Sequence, residues 1–283
     1  MLQTVYLNDT FVPFAEARVS ASDAGFLFGA GVFETVLARA GRPGYFSRHI
    51  ERLRTSCREL GIDFSYSEDA LRDIVEELLS RNDLSATEAR VKILITPGDT
   101  SVHHSHRDGT LLISAIPYLR PSLHIPWKLL MTGTVQASSV TAHKTTSYLG
   151  YRMALHAAHA DGYDDMILFD RHGHVSETSI ASLLLFRNSV PDGELLLLPA
   201  SPDALHGITR GVVADIVRAR GIEVVEVPVS PHDLFEGVSV CVCNALLGPI
   251  AVGRINETEI PTLESRFLSS LRENWENGAL EIT

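Results

Sequence analysis

Lysine is scarce in this chain. It occurs only as Lys92, Lys128 and Lys144, and apart from the histidines every other basic side chain is arginine. Arginine carries charge, but its pKa is too high for it to serve as an amine nucleophile. Chemistry that needs a free amine therefore has three candidates. Lys144 stands in the polar stretch HKTTSYLGYR, residues 143 to 152. Lys92 and Lys128 fall inside apolar runs that predict strands, and neither belongs to a motif.

Other residue types suit the recognition of an anionic or aromatic ligand. Arg52 lies in HIERL on an amphipathic helical pattern, where a guanidinium fork can grip a phosphate bidentately or simply face solvent. Glu177 sits among small and apolar residues in GHVSETSIAS. A carboxylate there needs a partner if it is buried; a protonated ring nitrogen would serve, and exposure beside a turn is the alternative. In LHGITRGVVADIVRARG, Gly207 and Thr209 precede a clear apolar helical stripe. A helix start offers unpaired N–H groups and the positive end of its dipole, which suits a phosphate, although Thr is also an ordinary cap. Gly25, Gly29 and Gly31 in DAGFLFGAGVFETV permit tight backbone geometry, but they fit no nucleotide-binding loop pattern.

These residues must be positioned by elements that the pattern of the chain predicts. VYLNDTFVPF reads as two short strands around an Asn-Asp turn. SRHIERLRTSCRELG and SEDALRDIVEELLS carry apolar residues at helical spacing, with Gly61 as a stop and Ser67 as a cap. RVKILIT and TLLISAIPY read as strands flanking the polar loop PGDTSVHHSHRDG. That loop, with His103, His104 and His106, has the length and polarity of a lid. The proline-punctuated YLRPSLHIP marks a boundary, which divides the chain into residues 1–119, a linker at 120–127 and a second domain at 128–283. Beyond it come a strand at KLLMTG, a helix from Tyr148, strands at DDMILFD, ASLLLF and ELLLLP, and a helix from Thr209 to Arg220. VEVPV and VSVCVC add strands, and LESRFLSSLRENW adds a terminal helix. Strands in runs predict an antiparallel or mixed sheet, hence an α+β fold.

The bulk numbers exclude several classes. A net charge of -11 argues against a nucleic-acid footprint or an anionic membrane surface as partner. Cys57, Cys241 and Cys243 are too few and wrongly spaced for a disulfide framework or a zinc site, so no metal is expected. No apolar run is long enough to span a bilayer. The opening MLQTVYLNDT lacks the pattern of a secretory leader, so a cytoplasmic setting is expected.

Order and spacing together add more than any single block. DAGFLFGAGVFET, HIERL, Lys144, Glu177 with SIASLLLF, LHGITR and CNALLGPIAV follow one another from about residue 5 to residue 252. In that order they resemble the fold-type IV pyridoxal 5'-phosphate (PLP) enzymes, which include branched-chain and D-amino acid aminotransferases and 4-amino-4-deoxychorismate lyase. The resemblance implies a two-domain fold, with a smaller N-terminal α/β domain and a larger C-terminal mixed-sheet domain. It implies Lys144 as the Schiff-base lysine and proton shuttle, and Glu177 as the carboxylate beside the pyridine nitrogen. Arg52, Ile208 and Thr209 would then hold the phosphate, and Asn244 and Ala245 would close the phosphate cup. A homodimer is implied too, with the cofactor between the domains and a loop of the partner chain reaching the site.

Departures from the family pattern fall on substrate contacts. Phe28, Gly29, Ala30 and Gly31 stand where the family usually has Y-G-D-G, and Ser182, Leu184 and Leu198 replace its usual Asn, aromatic and Thr. Phe28 therefore marks a family substrate-contact position, and Arg90 and Arg107 are the candidates for the substrate carboxylate. Transamination between a small amino acid and a 2-oxo acid is the favoured activity. The alternatives are a lyase releasing pyruvate and 4-aminobenzoate, and a scaffold that binds cofactor or amino acid without turnover.

Overall fold

The computed structural model describes residues 3–99, 109–189 and 193–279. The chain divides into two compact units. One comprises residues 1–120, 143–148 and 278–283, and the other comprises residues 121–142 and 149–277.

The first unit is a six-stranded antiparallel sheet with helices on one face. Its elements are β1 (Thr4–Leu7), β2 (Thr10–Pro13), α1 (Ala24–Phe28), β3 (Val32–Arg39), β4 (Arg42–Pro43), α2 (Phe46–Glu59), α3 (Glu68–Arg81), β5 (Ala89–Thr96) and β6 (Thr110–Pro117). The sheet runs in the order β2-β1-β6-β5-β3-β4. Val32, Val36, Val91, Ile93 and Ile113 on one face pack against Ile50, Leu53 and Cys57 of α2 and Leu71, Val75 and Leu78 of α3. The period of about 3.6 residues predicted for both helices is thus spent on one shared core. Ser67 caps α3 by accepting the Ala70 N–H at 3.2 Å.

The second unit is built on a nine-stranded mixed sheet. Its elements are β7 (Trp127–Leu130), α4 (Leu149–Ala160), β8 (Asp165–Phe169), β9 (Val175–Thr178), β10 (Ser182–Ser189), β11 (Gly193–Pro199), α5 (Ile208–Ala219), β12 (Glu223–Val227), β13 (Val238–Asn244), β14 (Gly248–Ile255), β15 (Thr258–Glu259) and α6 (Ser265–Gly278). The order is β12-β11-β10-β13-β14-β7-β8-β9, with β15 on β14. The pairs β11·β12, β14·β7 and β7·β8 are parallel, and the other pairs are antiparallel. Val213 and Val217 of α5 and Leu268 and Leu271 of α6 share a core with Leu184, Leu196, Cys241 and Cys243. The three cysteines are buried free thiols, and burial raises Cys57 and Cys243 to about 12.

Sequence patterning gave no strand at β3 or β14 and no helix at α1. Six of the eight residues of β3 are buried, so no polar alternation marks it. In β14, Gly248, Pro249 and Gly253 read as turn punctuation, although Pro249 pairs with Cys243 near the strand's start. At five residues, α1 is too short to show a period. Among the described residues no helix is long and apolar enough to cross a membrane.

Candidate active site

The first unit contains Lys144, Arg52, Phe28 and Arg90, and the second contains Glu177, Ile208, Thr209, Asn244 and Ala245. Arg107 and the three loop histidines lie outside the described residues.

Backbone pairing holds the Lys144 loop. The Phe33 N–H donates to the Lys144 carbonyl at 2.8 Å, and the Thr146 N–H donates to the Gly31 carbonyl at 2.8 Å. Thr146 Oγ1 donates to the Gly29 carbonyl at 2.7 Å. This explains the glycine block that matched no nucleotide motif. Gly29 has φ +67°, and a Cβ there would stand 2.6 Å from Ser147 Oγ. Gly29→Ala therefore combines a left-handed backbone that an L side chain resists with a clash against the lysine loop. The expected cost is about 1–3 kcal/mol, read as a lower thermal midpoint together with weaker cofactor retention.

Phe33 organises the amine. Lys144 Nζ lies 4.9 Å from the Phe33 ring centroid and 5.4 Å from that of Tyr148, within cation–π range. The two rings meet edge to face at 5.6 Å. Lys92 Nζ lies 4.3 Å from the same Phe33 centroid. Burial, and then the neighbouring Arg90, push the Lys92 amine down from its usual value. Lys92 thus belongs with Lys144, which the sequence could not show because strand pairing between β3 and β5 brings them to one ring. Tyr148 was likewise missed as a neighbour of the amine. Phe28 is 70% exposed, as are its neighbours Phe26 at 75% and Leu27 at 48%. Arg90 is exposed on β5.

Arg52 is clamped. Its Nε donates to Glu34 Oε1 and its Nη2 to Glu34 Oε2, both at 2.7 Å. His49 Nδ1 meets the same Oε2 at 2.7 Å. Burial alone would raise the Glu34 carboxyl, but Arg52 and His49 outweigh it and hold it at about 2. Burial lowers His49 and the Glu34 carboxylate opposes that shift. Glu34 was overlooked because its apolar neighbours hide a single charged position on the core-facing side of β3. Its carboxyl is 4.5 when unperturbed. The folded chain therefore holds fewer protons than the unfolded one between that value and about 2. Stability from this group is full above pH 4.5 and is lost as pH falls toward 2. Urea midpoints at pH 5 and pH 3 should show the loss in the wild type, and a smaller one in Glu34→Gln.

In the second unit, Glu177 is buried on β9, and its Oε1 accepts from Tyr151 Oη at 3.0 Å. The turn after β9 is pinned by fully buried Asp165. Its carboxylate accepts the Ser179 N–H at 3.1 Å and the Ile180 N–H at 3.3 Å, together with the Ser179 hydroxyl. Burial raises the Asp165 carboxyl and these hydrogen bonds lower it, with burial the larger effect. The Ile180 carbonyl in turn accepts Asn244 Nδ2 at 3.3 Å. Asn244 Oδ1 takes the N–H groups of Leu246 and Leu247, each at 3.0 Å. The Asn244 side chain thus shapes the turn that carries Ala245. At α5 the N-cap residue is Gly207, with no side-chain cap, so the first-turn N–H groups have no partner from the capping side chain. A Cβ at Gly207 would stand 2.4 Å from Ser182 Oγ. A cavity of about 330 Å³ is lined by Glu177, Ser176, Ser182, His206 and Arg210, among others. Within the second unit, the uncapped helix start has the character that suits a phosphate, and the buried Glu177 carboxylate borders the cavity. Among the described residues no cluster could hold a metal ion.

The family model for class IV aminotransferases matches residues 31–255, and the chain belongs to that family. A Methanocaldococcus jannaschii protein, provisionally named a branched-chain-amino-acid aminotransferase, is 33% identical over 238 residues, covering 82% of this chain and 80% of its own. The D-alanine aminotransferase of Listeria innocua is 25% identical over 266 residues, covering 90% of this chain and 89% of its own. The crystal structure of the branched-chain aminotransferase from Thermoproteus uzoniensis with norvaline superposes with a TM-score of 0.87 at 22% identity, covering 98% of this chain and 94% of that one. The chain is accordingly a PLP-dependent transaminase of the fold-type IV architecture.

Proposed function

We propose that this enzyme moves the amino group of a small aliphatic amino acid to a 2-oxo acid, with Lys144 as the residue that attaches PLP. The anchored Lys144 loop carries this reading, because three hydrogen bonds from β3 and the glycine block fix the one lysine that lies in a motif. PLP bound there supplies an electron sink for the charge left when the substrate Cα–H bond breaks. Lys144 takes that proton and returns it. Glu177 keeps a proton on the pyridine nitrogen, and Tyr151 orients the carboxylate. Arg52, the α5 start at Ile208 and Thr209, and the turn at Asn244 and Ala245 donate to the phosphate. Arg90, beside Lys92 on β5, is a receiver for the substrate carboxylate.

The aliphatic preference rests on the relatives, whose names cover branched-chain amino acids and D-alanine. A homodimer in the cytoplasm completes the proposal. Exposed Phe26 and Phe28 supply apolar surface for a second copy, and three free thiols suit a reducing compartment. The test is the visible spectrum during addition of L-leucine, L-valine, L-alanine, D-alanine and L-glutamate. A donor that bleaches the cofactor band and yields its oxo acid identifies the substrate. A band that no donor moves would overturn transamination and favour elimination chemistry.

A further inference from the structure

Glu34 is a costly residue where it stands. It is 1% exposed, on the side of β3 that faces the helices, between Val32 and Val36. A buried ion pair often stabilises a fold less than apolar residues of the same volume would. What a carboxylate provides that Met or Leu cannot is a fixed set of acceptors. Here all of that capacity is directed at α2: Arg52 Nε and Nη2, and His49 Nδ1, each at 2.7 Å. His49 is 2% exposed on its side chain, whereas Arg52 reaches outward at 15%. The clamp occupies the Nε–Nη2 edge of the guanidinium. His49 Nδ1 meets the same Oε2 that accepts Arg52 Nη2, so the carboxylate is held by a second residue of α2.

We infer that Glu34, braced by His49, is the positioning residue that fixes the Arg52 guanidinium for the phosphate of the cofactor. This rests on the reading of Arg52 as a phosphate ligand. Glu34 itself would touch no cofactor atom. It acts by sparing Arg52 the ordering that a free arginine loses on binding. The neutral amide of Gln cannot substitute, because its NH₂ would face donors on Arg52 or His49.

The test uses apoprotein and two ligands, PLP and pyridoxal, which lacks the phosphate. Dissociation constants are measured by fluorescence for wild type, E34Q, R52A and the double variant. If Glu34 positions Arg52, E34Q weakens PLP by between about 10- and 100-fold and leaves pyridoxal nearly unchanged. In the R52A background E34Q then adds nothing to the PLP-to-pyridoxal ratio. A merely structural role would weaken both ligands together, which overturns the inference. An unchanged ratio in E34Q, with R52A still reducing it, also overturns the inference while sparing Arg52. If R52A leaves the ratio unchanged, the Arg52 reading itself is wrong. Should E34Q not fold, E34D keeps the charge but withdraws it by one methylene, and an intermediate loss confined to PLP is the supporting result.

Discussion

On the proposed reading, in which Lys144 both attaches PLP and shuttles the proton, replacing it with alanine should lower turnover by at least about 10³-fold. Arginine cannot take over, since it stays protonated; Lys144→Arg should therefore fail as fully as Lys144→Ala while keeping the charge. That pair of variants separates an amine requirement from an electrostatic one. Borohydride reduction followed by peptide mass analysis gives a direct readout. In the wild type the cofactor mass should appear on the stretch that contains Lys144, and in both variants it should vanish. Lys92 makes the experiment sharper, because its amine lies 4.3 Å from the ring that Lys144 also contacts. A cofactor adduct found on Lys92 in the wild type would transfer the catalytic role to β5.

The second large effect is expected at Glu177. Glu177→Gln should cut kcat by about 10²–10³-fold, the usual cost of removing one preorganised electrostatic partner of the reacting system. The amide can still accept the Tyr151 hydroxyl, which now reaches Glu177 Oε1 at 3.0 Å, so the local fold should survive. What it loses is the negative charge that, on the proposed reading, favours a protonated pyridine nitrogen. PLP should still bind and still attach to Lys144, and the thermal midpoint should move little. The informative result is therefore a fall in kcat with cofactor retained. If kcat stays within a few-fold of wild type, Glu177 does not hold the ring proton. Tyr151→Phe should lie between the two, since it leaves the charge but frees its orientation.

Much of the architecture was legible in the sequence where one periodicity served one core. The helices α2 and α3 show it: Ile50, Leu53 and Cys57, then Leu71, Val75 and Leu78, recur at helical spacing because each helix buries a single stripe. Lys144 stood out as a candidate for a different reason, the near absence of any other lysine. The order of six short blocks identified the fold because each block is local, and chain order survives whatever the tertiary arrangement.

Tertiary structure decided the rest. Glu34 was hidden because nothing in VFETV says which face of β3 meets α2, and only that packing delivers its carboxylate to Arg52 and His49. The glycines of the first block had no structural reason until the Lys144 loop, more than a hundred residues later, came to lie against Gly29 and Gly31. Lys92 looked like an ordinary strand residue until antiparallel pairing of β3 with β5 placed it over Phe33. Composition and local spacing thus determined most of the candidate residues and most of the elements that carry them, but not β3, β14 or α1. Which of them meet was settled by strand register and helix packing, since contacts between residues far apart in the chain leave no trace in local spacing.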